Sequence, residues 1–316
     1  MKRKVIQIAN STQLVSLPRK WTQKYGIKKG DEIEVEENGN KLIIQIDKAI
    51  ELQSNEIDVT GLNRTMILYY IQNLYRMGYD EVKIIFNNPL VKHLRTNMEV
   101  NVISVIHKEV NRLLGYEIIQ QKDNFVLVKD ISTSSIKEFD NVLRRIFLLL
   151  NDASSDLVQG AIERNLTLLE TIEEKHDSIT KFISYCLRLL NKYGYPDHRK
   201  TSIFYHILAT LDRIVDFFKY AARDLLKFKH KANDKTIQLL KIIDDQVKLF
   251  SQFFFKFDVK HADSLYKNRN DFLILLNHQK SKIPTDELVL ISKLGQIFEL
   301  LLEIQVARMG IEDEST

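Results

Sequence analysis

Cysteine occurs once in this 316-residue chain, tryptophan once, proline four times and glycine ten times. With Cys186 alone no intrachain disulfide can form, which suits a reducing compartment. Cys186 stands in an apolar helical run and reads as a small buried hydrophobe. No apolar stretch approaches the roughly 18 residues of a membrane span, so no membrane insertion is expected. The opening MKRKVIQIANS has basic residues but neither an apolar run nor a cleavage site, and a cytoplasmic location is the expectation. Also absent are a Walker loop, a Gly-rich dinucleotide fingerprint, a Cys or His metal quartet and a Gly-flanked serine elbow. No string supplies an activated nucleophile, so the chain is expected not to be an enzyme.

Acid is missing from one place above all. The first 29 residues hold eight basic side chains (Lys2, Arg3, Lys4, Arg19, Lys20, Lys24, Lys28 and Lys29) and no Asp or Glu. The sign reverses at Asp31, Glu32, Glu34, Glu36 and Glu37. Net charge over the whole chain is only +4, so the basic signal is local. A small unit with a basic edge and an acidic edge draws a phosphate backbone to one side only, which points to nucleic acid.

The same stretch is patterned as strands around a short helix. Residues 3–9 read as a strand, Asn10-Ser11 as a turn and residues 13–17 as a second strand. Pro18 fits the first position of a helix capped by Ser16 and closed by Gly26. Residues 31–37 alternate with Ile33 and Val35 inward, Asn38-Gly39 is a strong hairpin signal, and residues 41–46 return as the partner strand. A unit this small cannot bury its own apolar faces, and it has no Cys pair or ligand cluster to compensate. Two copies are therefore expected to complete each other as a homodimer, whose two-fold symmetry suits a pseudo-palindromic site.

The strings S-L-P-R-K-W and Y-G-I-K-K-G-D-E-I-E-V resemble the AbrB/MazE/SpoVT swapped-hairpin DNA-binding domain, over residues 1–47. The resemblance implies interlocked chains with Arg3, Lys4, Arg19, Lys20 and Lys24 meeting double-stranded DNA. Arginine can read guanine edges bidentately, and lysine mainly holds phosphates. Thr12 and Gln13 stand where a compact Gly-Arg is more usual, so the base-reading pattern does not transfer.

Residues 50–131 read as a small α/β domain: a helix over 61–77 ended by Gly78, a strand over 82–86, a break at Asn88-Pro89, a helix over 97–114 ended by Gly115, and strands over 117–121 and 125–129. Nothing here has ligand-site spacing, which favours a spacer or dimer-packing role. From 134 to 312 strand signals vanish. Helices are expected near 134–155, 158–192, 201–229, 234–256, 259–280 and 285–309, as two tandem three-helix bundles over 134–230 and 234–312.

Leu211-Asp212-Arg213-Ile214-Val215-Asp216 resembles the acid-Arg-Ile-x-Asp motif of the PhoU family, and Glu173 and Asp177 repeat the four-residue spacing on the preceding helix. Carboxylates four apart share a helix face. The resemblance implies a metal ion, iron, zinc or similar, on Glu173, Asp177, Asp212 and Asp216. The second repeat is degenerate, with Gly295 where the first acid belongs and Glu299 for the Asp. His176 and His206 read as ordinary helix residues.

The fold class expected is thus multidomain α+β: a swapped-hairpin β domain, a small α/β domain and PhoU-like tandem three-helix bundles. Head and tail together resemble the archaeal phosphate-uptake regulators. That implies a dimeric DNA-binding transcriptional regulator whose bundles sense phosphate status through metal or a protein partner. The alternative is an adaptor that does not bind DNA and docks a phosphate-transporter ATPase or a signalling kinase through its bundles. An antitoxin reading follows from the head alone, but antitoxin tails are short and disordered until bound, whereas this tail is long and patterned.

Overall fold

The computed structural model describes residues 2–8, 12–38, 41–45 and 52–312. The chain divides into two compact units, Met1–Leu52 and Gln53–Thr316.

In the first unit β1 (Ile6–Ile8) pairs antiparallel with β2 (Thr12–Leu14), and β3 (Glu34–Asn38) with β4 (Lys41–Gln45). Between the two ribbons runs α1 (Arg19–Lys24). Pro18 is the N-cap, in extended conformation, rather than the first helical residue, and no side chain caps the helix, so Ser16 does not play that part. The other end closes as expected: Gly26 takes a φ of +61°, its N–H donates to Gln23 and that of Ile27 to Thr22, a Schellman closure. The turns expected at Asn10-Ser11 and at Gly39 lie outside the described residues.

Register puts Ile6, Ile8 and Leu14 on one face of the first ribbon, because Ile6 pairs with Leu14 and Ile8 with Thr12. In the second, Val35 opposite Ile44 shares a face with Leu42. These apolar faces are open: Ile6 is 56% exposed, Val35 53% and Leu42 67%. No residue of this unit among those described is buried.

The second unit begins with a four-stranded sheet in the order β5-β6-β10-β9, comprising β5 (Ser54–Asp58), β6 (Glu81–Ile85), β9 (Tyr116–Gln121) and β10 (Phe125–Asp130). Only β5 and β6 run parallel, as the crossover α2 (Arg64–Arg76) between them requires. The side chain of Asn63 caps α2 by accepting from Thr65 and Met66 N–H groups, and Gly78 follows at φ +97°. Residues 97–114 are not one helix. A hairpin of β7 (Leu90–His93) and β8 (Met98–Asn101) runs through the first part, turning past Asn97 at φ +54°. Only then does Asn101 cap α3 (Val102–Val110).

The helical part comprises α4 (Phe139–Glu163), α5 (Leu166–Tyr193), α6 (His198–Lys227), α7 (Asp234–Phe255), α8 (Val259–Gln279), α9 (Thr285–Leu294) and α10 (Gln296–Met309). The first break falls at Arg164, left-handed at φ +53°, and not near 156. The segment read as a break is packed instead: Ala153, Ser154, Leu157 and Val158 are buried. Gly160 has no side chain because Leu169 occupies that space, with an added Cβ only 2.7 Å from its Cδ2. The last expected helix is two, meeting at Gly295 where the Phe272 ring packs. The two sets of three are not separate bodies, since α4 lies against α7 and α6 against α10.

Nor is the α/β layer separate from the helices. Arg188 of α5 is fully buried. Its Nη1 donates to the carbonyls of Tyr75 (2.9 Å) and Tyr79 (2.7 Å), and its Nη2 to Asp80 (3.1 Å) and Asp130 (2.7 Å). The guanidinium also lies over the rings of Tyr75 and Tyr116. Lys192 adds a second cation to Asp80. Charges this deep are tolerated only when paired and hydrogen-bonded, so this cluster fixes sheet and helix in one arrangement.

Candidate nucleic-acid interface and the carboxylate seam

Arg3 and Lys4 precede β1, Arg19 and Lys20 open α1 and Lys24 closes it, and all five side chains are exposed. Arg3, Lys4, Arg19 and Lys20 form no ion pair with a described residue, and Lys24 lies over the Tyr25 ring. The first turn of α1 has no acid to offset Arg19 and Lys20. Cations at a helix start oppose the backbone dipole, a cost of about 0.3–1 kcal/mol each. Both features are what an external polyanion would relieve. The unit's exposed acids stand later in the chain, on and before β3.

The four carboxylates expected to hold a metal are spread along α5 and α6, and each meets a cation. Glu173 is gripped by both nitrogens of Arg223's fork, Nε at 2.8 Å, which holds its carboxyl below the usual range. Asp177 accepts from Arg112 Nη2 (2.7 Å) and His176 Nδ1 (3.0 Å). Asp212 accepts from Arg76 Nη2 (2.9 Å) and the Thr180 hydroxyl (3.1 Å). Asp216 lies against Lys219 and, at 3.1 Å, His176 Nε2. Burial alone would raise Asp216, but these two partners overcome it and lower the carboxyl to about 2.

This arrangement does not fit a metal. Among the described residues no three His, Cys, Asp or Glu side chains gather where one ion would reach them. The negative charge that a cation would neutralise is already answered by Arg76, Arg112, Lys219 and Arg223. Two of these come from the α/β layer: Arg76 ends α2, and Arg112 follows α3. The layer read as a spacer therefore supplies two of the cations, and the helix face read as a ligand set is their receptor.

His176 is not an ordinary helix residue. It is buried and joins Asp177 to Asp216. Burial pushes its imidazole down, yet the hydrogen bonds to the two carboxylates win and hold it above the ordinary histidine value. Lys219 Nζ, 2.9 Å from Nε2, competes with the proton on that nitrogen. His206, by contrast, is half exposed and, among the described residues, pairs with Glu303 across to α10. Glu109 lines the same seam, where burial lifts its carboxyl to about 7. A cavity of about 170 Å³ lies among Glu109, Arg112, His176, Thr180, Asp216 and Lys219.

Comparison with known proteins adds one finding. Residues 6–49 match the family described as antidote-toxin recognition MazE, bacterial antitoxin. No curated protein and no solved structure matches the chain. The N-terminal unit is thus a MazE/AbrB-type domain, a kind commonly DNA-binding, followed by a small mixed sheet and a long helical region. Among the described residues no helix is long and apolar enough to cross a membrane.

Proposed function

We propose that the chain is a dimeric DNA-binding transcriptional regulator, a binder and not an enzyme, with the second unit as its sensing or partner-binding module. The observation that carries this reading is the first unit: a MazE/AbrB-type domain whose apolar ribbon faces are open in the single chain and whose Arg3, Lys4, Arg19 and Lys20 are exposed and form no ion pair with a described residue. A second copy would cover the apolar faces and double the basic edge. Light scattering on the full chain, with gel shifts across salt concentration, tests it. The expectation is a dimer whose DNA affinity falls steeply with salt, because phosphate neutralisation releases counterions. A monomer, or a dimer indifferent to DNA, overturns the reading; the second outcome favours the adaptor.

The finer reading, regulation of phosphate uptake, is supported by the PhoU-like string from Leu211 to Ala222 on α6. Genome-wide occupancy at high and low phosphate tests it: sites upstream of phosphate-transport genes, changing with supply, are expected. Any signal from the second unit acts through linkage, since a ligand alters DNA affinity only by preferring one conformation. Because Arg188, Arg76 and Arg112 tie sheet to helices, the α/β layer moves with the bundle face and does not relay between independent bodies. An antitoxin role is disfavoured by the same packing: the tail has its own continuous core and does not wait for a toxin to fold.

A further inference from the structure

Beside the carboxylate seam lies a groove of about 580 Å³. Its cations come from three places far apart in the chain: Arg95 at the tip of the β7–β8 hairpin, Arg223 and Lys227 on α6, and Lys293 on α9. These four cations face two carboxylates, Glu173 and Asp224. Both acids are engaged in holding cations in place. Glu173 orients the Arg223 fork. Asp224 stands 3.2 Å from the ammonium groups of both Lys227 and Lys293. Arg95 has no ion pair among the described residues. Lys227 and Lys293 keep much of their length in solvent, 74% and 52% exposed. The groove therefore carries positive charge in excess, presented inward from several directions.

We propose that this groove binds an extended small-molecule polyanion bearing two or more phosphoryl groups. Four cations drawn from a hairpin tip, α6 and α9 around such a volume offer more partners than one orthophosphate uses. A nucleic-acid backbone would need a continuous basic stripe, whereas here the cations converge on a concavity. Arginine suits the task by its planar bidentate fork and lysine as a point charge. Tyr220, which lines both this groove and the smaller cavity beside it, offers an exposed ring at the junction. A ligand held from Arg95 to Lys293 would bridge the α/β layer and the helices. Binding itself does not depend on the DNA reading; only a coupling to DNA does.

The test is calorimetric titration of the full chain with tripolyphosphate, ATP and orthophosphate at low and high KCl. Saturable binding of tripolyphosphate and ATP is expected, with orthophosphate at least about tenfold weaker and with steep loss at high salt. The double variant Arg95→Ser, Lys293→Gln should lose about tenfold or more in affinity. Both side chains are exposed, so its melting temperature should stay unchanged. Arg19→Ser with Lys20→Ser in the first unit should leave the titration unaltered. Equal affinity for tripolyphosphate and ATP assigns the energy to phosphoryl groups, and tighter ATP adds a contact from its base; both uphold the site. Orthophosphate binding as tightly as tripolyphosphate overturns it, and so does unaltered affinity in the Arg95/Lys293 variant. Loss that follows Arg19 and Lys20 instead would place the polyanion on the DNA-binding unit. Gel shifts with and without tripolyphosphate then address coupling alone: a ligand-bound groove that leaves DNA affinity unchanged removes the sensing role and keeps the site.

Discussion

The first unit pairs its strands without burying a single described side chain, while the second buries even an arginine. The first leaves Ile6, Val35 and Leu42 in water, and its Arg3, Lys4, Arg19 and Lys20 form no ion pair with a described residue. The second answers its deepest charges internally: Arg188 with Asp80 and Asp130, Arg112 with Asp177, Arg76 with Asp212. Hydrophobic burial drives folding, so a unit that cannot supply it alone must take it from another chain. As a single chain, the first unit is incomplete in its burial and the second is complete. The proposed function follows the same division, with the MazE/AbrB-type domain lying where exposed apolar and basic groups occur together.

The largest effect should come from breaking the complete half at its centre. Arg188→Met leaves Asp80 and Asp130 buried without their guanidinium, and removing one partner of such a cluster costs about 3–5 kcal/mol. Denaturant unfolding should show that loss, and adding Asp80→Asn and Asp130→Asn should recover much of it. A single variant as stable as the parent would mean that the cluster does not hold sheet to helix. Next comes the incomplete half. Ile8→Asp with Leu42→Asp places charges on the open ribbon faces. Dimerisation and DNA affinity should fall by about a hundredfold, equal to about 2.7 kcal/mol. The second unit's melting transition should not move. If those faces are not an interface, light scattering will show the dimer intact.

What could be read from the chain follows physical range. The ribbons β3–β4 and the long helices announce themselves by local period, every second or every third to fourth residue, and both were legible. Strand β5 was not, because Ser54-Asn55-Glu56-Ile57-Asp58 has one apolar residue and lies at a sheet edge. The β7–β8 hairpin hid inside a stretch with helical composition. The helix boundary expected between 155 and 158 does not occur, because tertiary packing carries α4 through that stretch. At the carboxylate seam the ambiguity is chemical. Acids four apart serve equally as metal ligands, as a solvated face or as a receptor for arginines, and only the fold shows Arg76 and Arg112 arriving from over 60 residues away in sequence. The lone charge of Arg188 within Cys186-Leu187-Arg188-Leu189-Leu190 was the one local hint of a buried ion cluster.

A smaller effect sharpens the claim that the second unit tolerates charge only when it is answered. Glu109 is buried beside Arg112, but Arg112 already serves Asp177 at 2.7 Å and stands 3.6 Å from Glu109. Burial therefore prevails, and the folded chain keeps the Glu109 proton up to about pH 7, against 4.5 ordinarily. The folded state binds that proton more tightly than the unfolded state, so the associated stability is whole below pH 4.5 and is lost as pH rises toward 7. Glu109→Gln mimics the protonated acid. It should melt a few degrees above the parent at pH 8 and level with it at pH 5. A lower melting temperature at pH 8 would show that Glu109 and Arg112 form a working ion pair.

The smallest expected effect is none at all, and it bears on the seam most directly. A divalent ion entering among Glu173, Asp177, Asp212 and Asp216 would have to displace Arg223, Arg112, Arg76 and Lys219 from the carboxylates they hold. Each displaced cation would lose its partner within a partly buried surface, and Asp216, with its carboxyl at about 2, is already stabilised as an anion by Lys219 and His176. Iron, zinc or manganese added to chelator-treated protein should therefore leave the melting temperature where it was, since a ligand that binds only the folded state must raise it. A rise that vanishes in Asp212→Asn and Asp216→Asn would show that the seam opens to admit an ion, and would make the arginines from the α/β layer the gate it passes.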